Sequence, residues 1–418
     1  MLRKKNDVTQ QDAIISAKGL KRPKAVSEFL HGLNAAINKG YKEIILDFKD
    51  GSYFPNAVTP IAGIIQYYNM NKNITFKLKQ TNVKAVNQTN MLNPRIYDEQ
   101  QNILGKVWIF DSFKKAEEMV DAYMVELQKS DRFPEGTIKA LQWSLNEVMD
   151  NVINHSNVGF GYVMGQIHTS SKRIAFTVFD VGQGILKSFE GSEHHPKDSI
   201  DAITLAIKEA VTSDKDKGQG NGLFGLHSII KQGNGNLVIT SGKGCFMYID
   251  GESRTYHGIP QISKDAPATI VDFQLDYSSD VRLDKALLIN GKEYKIVDWQ
   301  YENMLDDEER VVYSIKDHSE GTGTRDAAKR TQNEIMNILS NKPKKLILDF
   351  SGVPVISSSF ADELIAKLIL ELGIFHFNNL ITLRGMDYTN QNILQRSVIQ
   401  RLIEIVEKKT DICIHKRL

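Results

Sequence analysis

The sequence predicts an α/β protein of three units, two small α/β units at the ends and a different, strand-rich unit between them. Three observations carry this. At 418 residues the chain has room for two or three domains of about 150 residues each. The stretch Lys42-Glu-Ile-Ile-Leu-Asp-Phe48 returns as Lys344-Lys-Leu-Ile-Leu-Asp-Phe350, with five of seven residues identical, and an internal repeat of this kind sets architecture before any single element does. Between the two copies lies a stretch with no counterpart elsewhere in the chain. The expected boundaries are 1–110, 111–277, a connecting segment 278–320, and 321–418.

The elements follow from apolar spacing. In the first copy Val26, Phe29, Leu30, Leu33, Ala36 and Ile37 recur at helical intervals, a strand covers 42–48, a second helix carries Ile61, Ile64 and Ile65, and a further strand lies near Ile74. The last copy repeats the order with Ala328, Ile335, Ile338 and Leu339, the strand 344–350, a helix bearing Leu364, Leu368 and Leu370, and a strand near Leu380. The middle unit opens with helices over 113–129 and 135–154, the second with Leu141, Leu145, Val148 and Val152 on one stripe. Strands then cover 161–168 and 173–179, where Ile174, Phe176 and Val178 alternate with Ala175, Thr177 and Phe179. A polar, lid-like stretch over 188–217 holds one more helix. Strands at 237–240, 245–249 and 269–275 complete the unit, and Asp306 to Arg310 reads as an exposed turn in the charged segment that follows.

Composition excludes several classes. A net charge of +1 gives no overall field to draw in nucleic acid or an anionic membrane surface. With 41% apolar and 25% charged residues the chain is far from the signature of disorder. Two cysteines, Cys245 and Cys413, do not make a disulfide framework. The charged start, Met1 to Lys5, leads into no apolar stretch, and no window nears about 18 apolar residues. The expectation is a cytoplasmic protein that does not enter a membrane.

Three pieces in fixed order carry the chemistry. The first is Glu147, Asn151 and His155, which at intervals of four share one helix face. An amide oxygen suits Mg²⁺, which keeps several waters and leans on substrate phosphates, and a nearby carboxylate can deprotonate an attacking group; the plainer alternative is an exposed polar face. The second is Asp180-Val-Gly182-Gln-Gly184 at the end of the alternating strand. A buried carboxylate there can accept from an adenine amino group, whereas a guanine carbonyl would leave it unpaired. A simple strand-to-loop turn remains the alternative. The third is Gly218-Gln-Gly220-Asn-Gly222-Leu223-Phe-Gly225, opening a helix, where backbone N–H groups and the helix dipole meet phosphate oxygens. Gly220, Gly222 and Gly225 also fit the dinucleotide fingerprint, but that motif needs a strand directly before it, and here Thr212 to Lys217 is polar and charged. No Gly-Lys pair continues into a P-loop.

The order of these motifs resembles the GHKL ATPases, the superfamily of gyrase, heat-shock chaperone, histidine kinase and mismatch-repair ATPases, over about 165 residues. The resemblance implies a central Bergerat-type, left-handed α/β sandwich that binds ATP with Mg²⁺. It places Asn151 on the metal, Asp180 on adenine, Glu147 as general base, and Gly182, Gly184, Gly218, Gly220, Gly222, Leu223, Gly225 and Thr269 around the nucleotide. Where the family often has Gly-Thr on the last strand, this chain has Ala268-Thr269. Dimerisation through the nucleotide domain is common among such proteins, so a homodimer is one partner the resemblance allows. A two-component histidine kinase would need an acceptor histidine before the nucleotide domain, and none occurs between His31 and His155.

The last unit resembles a STAS-like domain, the module of anti-sigma-factor antagonists and of the DUF4325 family, through Leu348-Asp-Phe-Ser-Gly-Val-Pro-Val-Ile-Ser-Ser-Ser359-Phe-Ala-Asp362-Glu363. In that family a serine at the start of the helix accepts phosphate from a GHKL-type serine kinase. Ser359 matches that position best, with Ser357 standing where the family has Asp; the alternative is that the serines only cap the helix. In the first copy the matching position falls on Ala57 or Asn56, so that copy is a degenerate STAS-like unit. The expected function is a Mg-ATP-dependent ATPase or serine kinase that works as a regulatory switch, with a protein partner reached through the STAS-like modules. The alternative is a non-catalytic ATP-sensing scaffold, against which the carboxylate of Glu147 argues, since binding alone needs no base.

Overall fold

The alternation of apolar strands with amphipathic helices is realised in the computed structural model, which describes residues 6–99, 101–208, 222–281, 283–289, 292–293 and 304–415. The class is α/β with mixed sheets. The chain divides into two compact units, one of Met1–Glu126 with Gly136–Tyr294 and one of Leu127–Glu135 with Lys295–Leu418.

The first unit begins with the hairpin β1 (Val8–Gln11) and β2 (Ile14–Ala17), then α1 (Lys24–Asn38), β3 (Glu43–Phe48), α2 (Pro55–Lys72) and β4 (Thr75–Leu78). Strands β2, β3 and β4 are parallel neighbours, and right-handed crossovers put both helices on one face of their sheet. Helix α1 buries the stripe Val26, Phe29, Leu30, Leu33 and Ala36, as its spacing predicts. Helix α2 has no polar side over its first three turns: every residue from Pro55 to Ile65 is buried. The reason is a second sheet. A short helix, α3 (Lys84–Gln88), leads to β5 (Arg95–Ile96) and β6 (Trp108–Phe110), then α4 (Phe113–Ser130), α5 (Thr137–His155), β7 (Gly161–His168) and β8 (Arg173–Asp180). Helices α6 (Gly184–Ser188), α7 (Ser199–Ala206) and α8 (Gly222–Gln232) precede β9 (Asn236–Ser241), β10 (Gly244–Ile249), β11 (Glu252–His257) and β12 (Thr269–Asp276).

These eight strands form one sheet in the order β11-β10-β9-β12-β8-β7-β6-β5. Its two faces are told apart by the parity of β8. Phe176 stacks edge-on against Tyr123 of α4 at 5.0 Å, whereas Phe179 meets Gly63 of α2, where an added Cβ would lie 2.2 Å from the ring. One face therefore carries α4, α5 and α8, and the other carries α2, which lies between the two sheets and is apolar all round for that reason.

In the second unit the strands Val311–Ser314, Leu346–Asp349 and Ile381–Arg384 are parallel and adjacent in chain order. Helix Arg325–Ser340 joins the first pair. The second crossover is a helical stretch from Ser358 to Leu372 with a π segment at Asp362–Ala366, then a helix at Ile374–Leu380. The strand and helix order matches that from β2 to β4, so the repeated sequence is also a repeated structure. In each copy the shared aspartate pairs with a base at the end of the third strand: Asp47 with Lys79 at 3.3 Å, and Asp349 with Arg384 Nε at 3.1 Å. The first strand, Val311–Ser314, comes from the segment read as connecting, while β5 and β6, from the segment before 111, join the eight-stranded sheet.

The second unit also holds residues 127–135. Asn337 on Arg325–Ser340 accepts from Phe133 N (2.7 Å) and donates to the carbonyls of Gln128 (3.1 Å) and Asp131 (3.0 Å), and Asn333 donates to Lys129 O (3.2 Å). Two buried amides of this helix thus bind the backbone around the end of α4. Among the described residues, no helix is long and apolar enough to cross a membrane.

Candidate functional site

Helix α5 positions the acid and the amide. Ala140, Leu141, Leu145, Val148 and Val152 are buried along one side, which turns Glu147 and Asn151 toward the start of α8. There Gly222 makes the closest approach: a Cβ on it would stand 2.5 Å from Glu147 Oε2 and 3.5 Å from Asn151 Nδ2. One turn later Gly225 faces Trp143, with a Cβ separation of 2.2 Å to the ring, so this glycine lets the two helices pack. Burial, and secondarily the charge of Asp150, pushes the Glu147 carboxyl up to about 7. Leu223 is half-buried on α8, and Gly218 and Gly220 lie outside the described residues. His155 ends α5, on the same face.

The second cluster lies where β8, β12 and β9 run side by side. Register pairs Asp180 with Thr269, and Thr269 with Ser241. Asp180 is 5% exposed and accepts from Gly182 N at 2.8 Å; burial drives its carboxyl up to about 7 despite that bond. Ser241 Oγ lies 3.2 Å from Thr269 Oγ1, accepts from Ile185 N at 2.8 Å and reaches Ala268 O at 3.3 Å. Nothing in the sequence singled out Ser241, since a serine ending a strand before glycine is ordinary turn chemistry.

The loop after Asp180 is tied to the end of α5. Gln183 N bonds Ser156 O at 3.0 Å, the Gln183 amide donates to His155 O at 2.8 Å, and Asn157 donates to Gln183 Oε1 at 2.8 Å. Gly182 is required by contact, because its Cβ would fall 2.2 Å from Ser156 O. Gly184 has φ 73, where glycine carries no steric cost. Ala268 adopts φ 63 while buried. Ala268, directly before Thr269, thus takes a backbone conformation that glycine adopts without steric cost.

In the second unit Ser357 is the N-cap, accepting from Phe360 N at 3.0 Å, and Ser359 Oγ lies 3.0 Å from Ser357 Oγ. Ser358 is exposed and Ser359 half-buried. Asp362 and Glu363 follow within a turn and gather Arg325, Lys367 and Arg401. Gln332 donates to Glu363 O at 2.9 Å inside the π segment.

The family described as a STAS-like domain of unknown function (DUF4325) matches residues 327–391. This is a minority of the chain and runs from helix Arg325–Ser340 to the start of the last helix, Tyr388–His415. STAS-like domains commonly mediate protein interactions. A comparison with characterised proteins finds no match.

Proposed function

We propose that the chain is a Mg-ATP-binding switch of the GHKL type, an ATPase or serine kinase with STAS-like modules in the same chain. The observation that carries the reading is the meeting of Glu147, Asn151 and Gly222 at the N-terminus of α8. Backbone N–H groups at a helix start favour phosphate oxygens, and Gly222 leaves the space that any side chain would fill. Three helices on one face of a mixed sheet also support the sandwich architecture. The donor set fits the group: Asn151 supplies a hard oxygen for Mg²⁺, which would neutralise phosphate charge when bound. Asp180 is buried with one backbone donor on its carboxylate, which leaves acceptor capacity for an adenine amino group, with Thr269 and Ser241 beside it.

In this reading Glu147, with an affinity for protons poised near neutrality, takes the proton from the attacking water or serine hydroxyl as the new bond to phosphorus forms and ADP leaves. The STAS-like unit offers Ser359 as an internal acceptor and an interaction surface for a protein partner; the first repeat serves as its degenerate relative. Incubating the chain with Mg²⁺ and γ-labelled ATP tests this. Label retained on the wild type and lost in Ser359→Ala marks a serine kinase, and free phosphate without label marks an ATPase switch. Neither product, with ATP still bound, would leave the sensing scaffold and remove the catalytic reading.

A further inference from the structure

We infer that Tyr67 and Tyr68 of α2 are positioning residues for the nucleotide pocket, so that the first repeat forms part of its wall. This rests on the ATP-binding reading and extends it to residues that none of the three motifs contains. The loop before β12 carries Ala268 into the site, yet it has no regular structure to hold it. Its buried backbone groups need partners all the same. Tyr68, 5% exposed, donates to Ile262 O at 2.9 Å. The Tyr67 hydroxyl lies 3.0 Å from Ser263 Oγ, which in turn accepts from Asp265 N (3.2 Å) and Ala266 N (3.0 Å) and closes the turn.

From there the connection to the site is short. Ala268 N donates to Gly182 O at 3.1 Å, and Ala268 O accepts from Gly242 N at 3.3 Å. The same helix presses on the opposite strand, since Gly63 seats against Phe179, the residue before Asp180. Helix α2 therefore touches both sides of the pair Asp180 and Thr269: strand β8 through Gly63, and the loop that leads into β12 through the two tyrosines. The Tyr68 hydroxyl also lies 3.2 Å from Asn34 Oδ1 on α1, so it ties the loop to two helices of the first repeat, a role that covering apolar surface alone would not require.

The test uses the full chain and calorimetric titration with Mg-ATP, Mg-GTP and inorganic triphosphate. Tyr68→Phe is expected to weaken ATP about tenfold, to shrink the preference for ATP over GTP, and to leave triphosphate affinity unchanged, because only the base end of the pocket loosens. Ser263→Ala, which removes a half-buried hydroxyl and keeps the core intact, gives the same pattern should Tyr68→Phe fail to fold. An unchanged ATP-to-GTP ratio in the folded variants, even with a lowered melting temperature, overturns the inference and leaves the tyrosines a structural role. Absence of nucleotide binding by the wild type would instead overturn the ATP-binding reading beneath it.

Discussion

Gly222 and Glu147 stand so close that a methyl group on residue 222 would lie 2.5 Å from the Glu147 carboxylate. The contact joins two motifs 75 positions apart in the sequence (222 − 147), and it makes the size of residue 222 a direct probe of the site. Gly222→Ala is expected to weaken Mg-ATP binding at least tenfold. Helix α8 should survive, since alanine favours a helix by about 1 kcal/mol over glycine. Calorimetry beside a thermal melt reads both; unchanged affinity would separate Gly222 from the site.

If Asp180 holds adenine as proposed, its carboxyl links nucleotide binding to stability. Its carboxyl is raised to about 7 in the folded chain, against about 3.9 unfolded. The folded state thus holds the proton longer, and the contribution of Asp180 to stability is greatest below pH 4, falls as pH rises toward 7, and is constant above that. Asp180→Asn should stabilise the chain by about 1 to 4 kcal/mol at pH 8, gain little at pH 4, and lose ATP affinity. Asp272, raised to about 6 by burial on the opposite face of the sheet and bonded by Thr177 at 2.8 Å, is the control: its Asn variant should show a similar pH trend with nucleotide affinity intact. Denaturant titrations at both pH values decide the matter.

Turnover, if Glu147 is the base, should follow its deprotonated fraction and rise through pH 7. Glu147→Gln is expected to bind ATP as the wild type does and to lose the pH-dependent limb of the rate. A rate profile that keeps this limb in the variant would assign the proton transfer elsewhere.

Ala268 in a left-handed conformation costs about 1 kcal/mol relative to glycine. Ala268→Gly should raise the melting temperature by about 2 to 4 °C without changing ATP affinity. A drop in melting temperature would mean that the methyl group packs better than its backbone strains.

Asn337→Ala removes one side chain that serves three backbone groups, Phe133 N and the carbonyls of Gln128 and Asp131. A lost hydrogen bond costs about 0.5 to 1.5 kcal/mol, so urea unfolding of the full chain should shift by about 1 to 3 kcal/mol. A change below about 0.5 kcal/mol would show that water replaces the amide.

Much of the fold was legible because apolar spacing encodes which side of an element is buried. The stripes on α1 and α5 and the repeat at 42–48 and 344–350 correspond to elements in the structure, and the alternation on β8 marks a strand that is buried on both faces. Strand β11 was not legible, since all six of its residues are exposed at a sheet edge and none carries a burial pattern. Strands β5 and β6 are too short to show a period. The all-round burial of α2 reads as apolar content in the sequence, but not as a position between two sheets, because periodicity reports faces and not what covers them. The motif residues come from side-chain chemistry and spacing; Ser241, Ser156 and Tyr68 do not, because their contacts depend on strand register and loop closure.

The most direct test of Mg-ATP binding is calorimetric titration of wild type and Asn151→Ala with ATP, in Mg²⁺ and again after chelation. One ATP per chain is expected for the wild type, weakened by removal of Mg²⁺, and an Asn151→Ala variant that has lost the metal-dependent part of the affinity. Equal, metal-independent binding by both, or no binding by either, would contradict it.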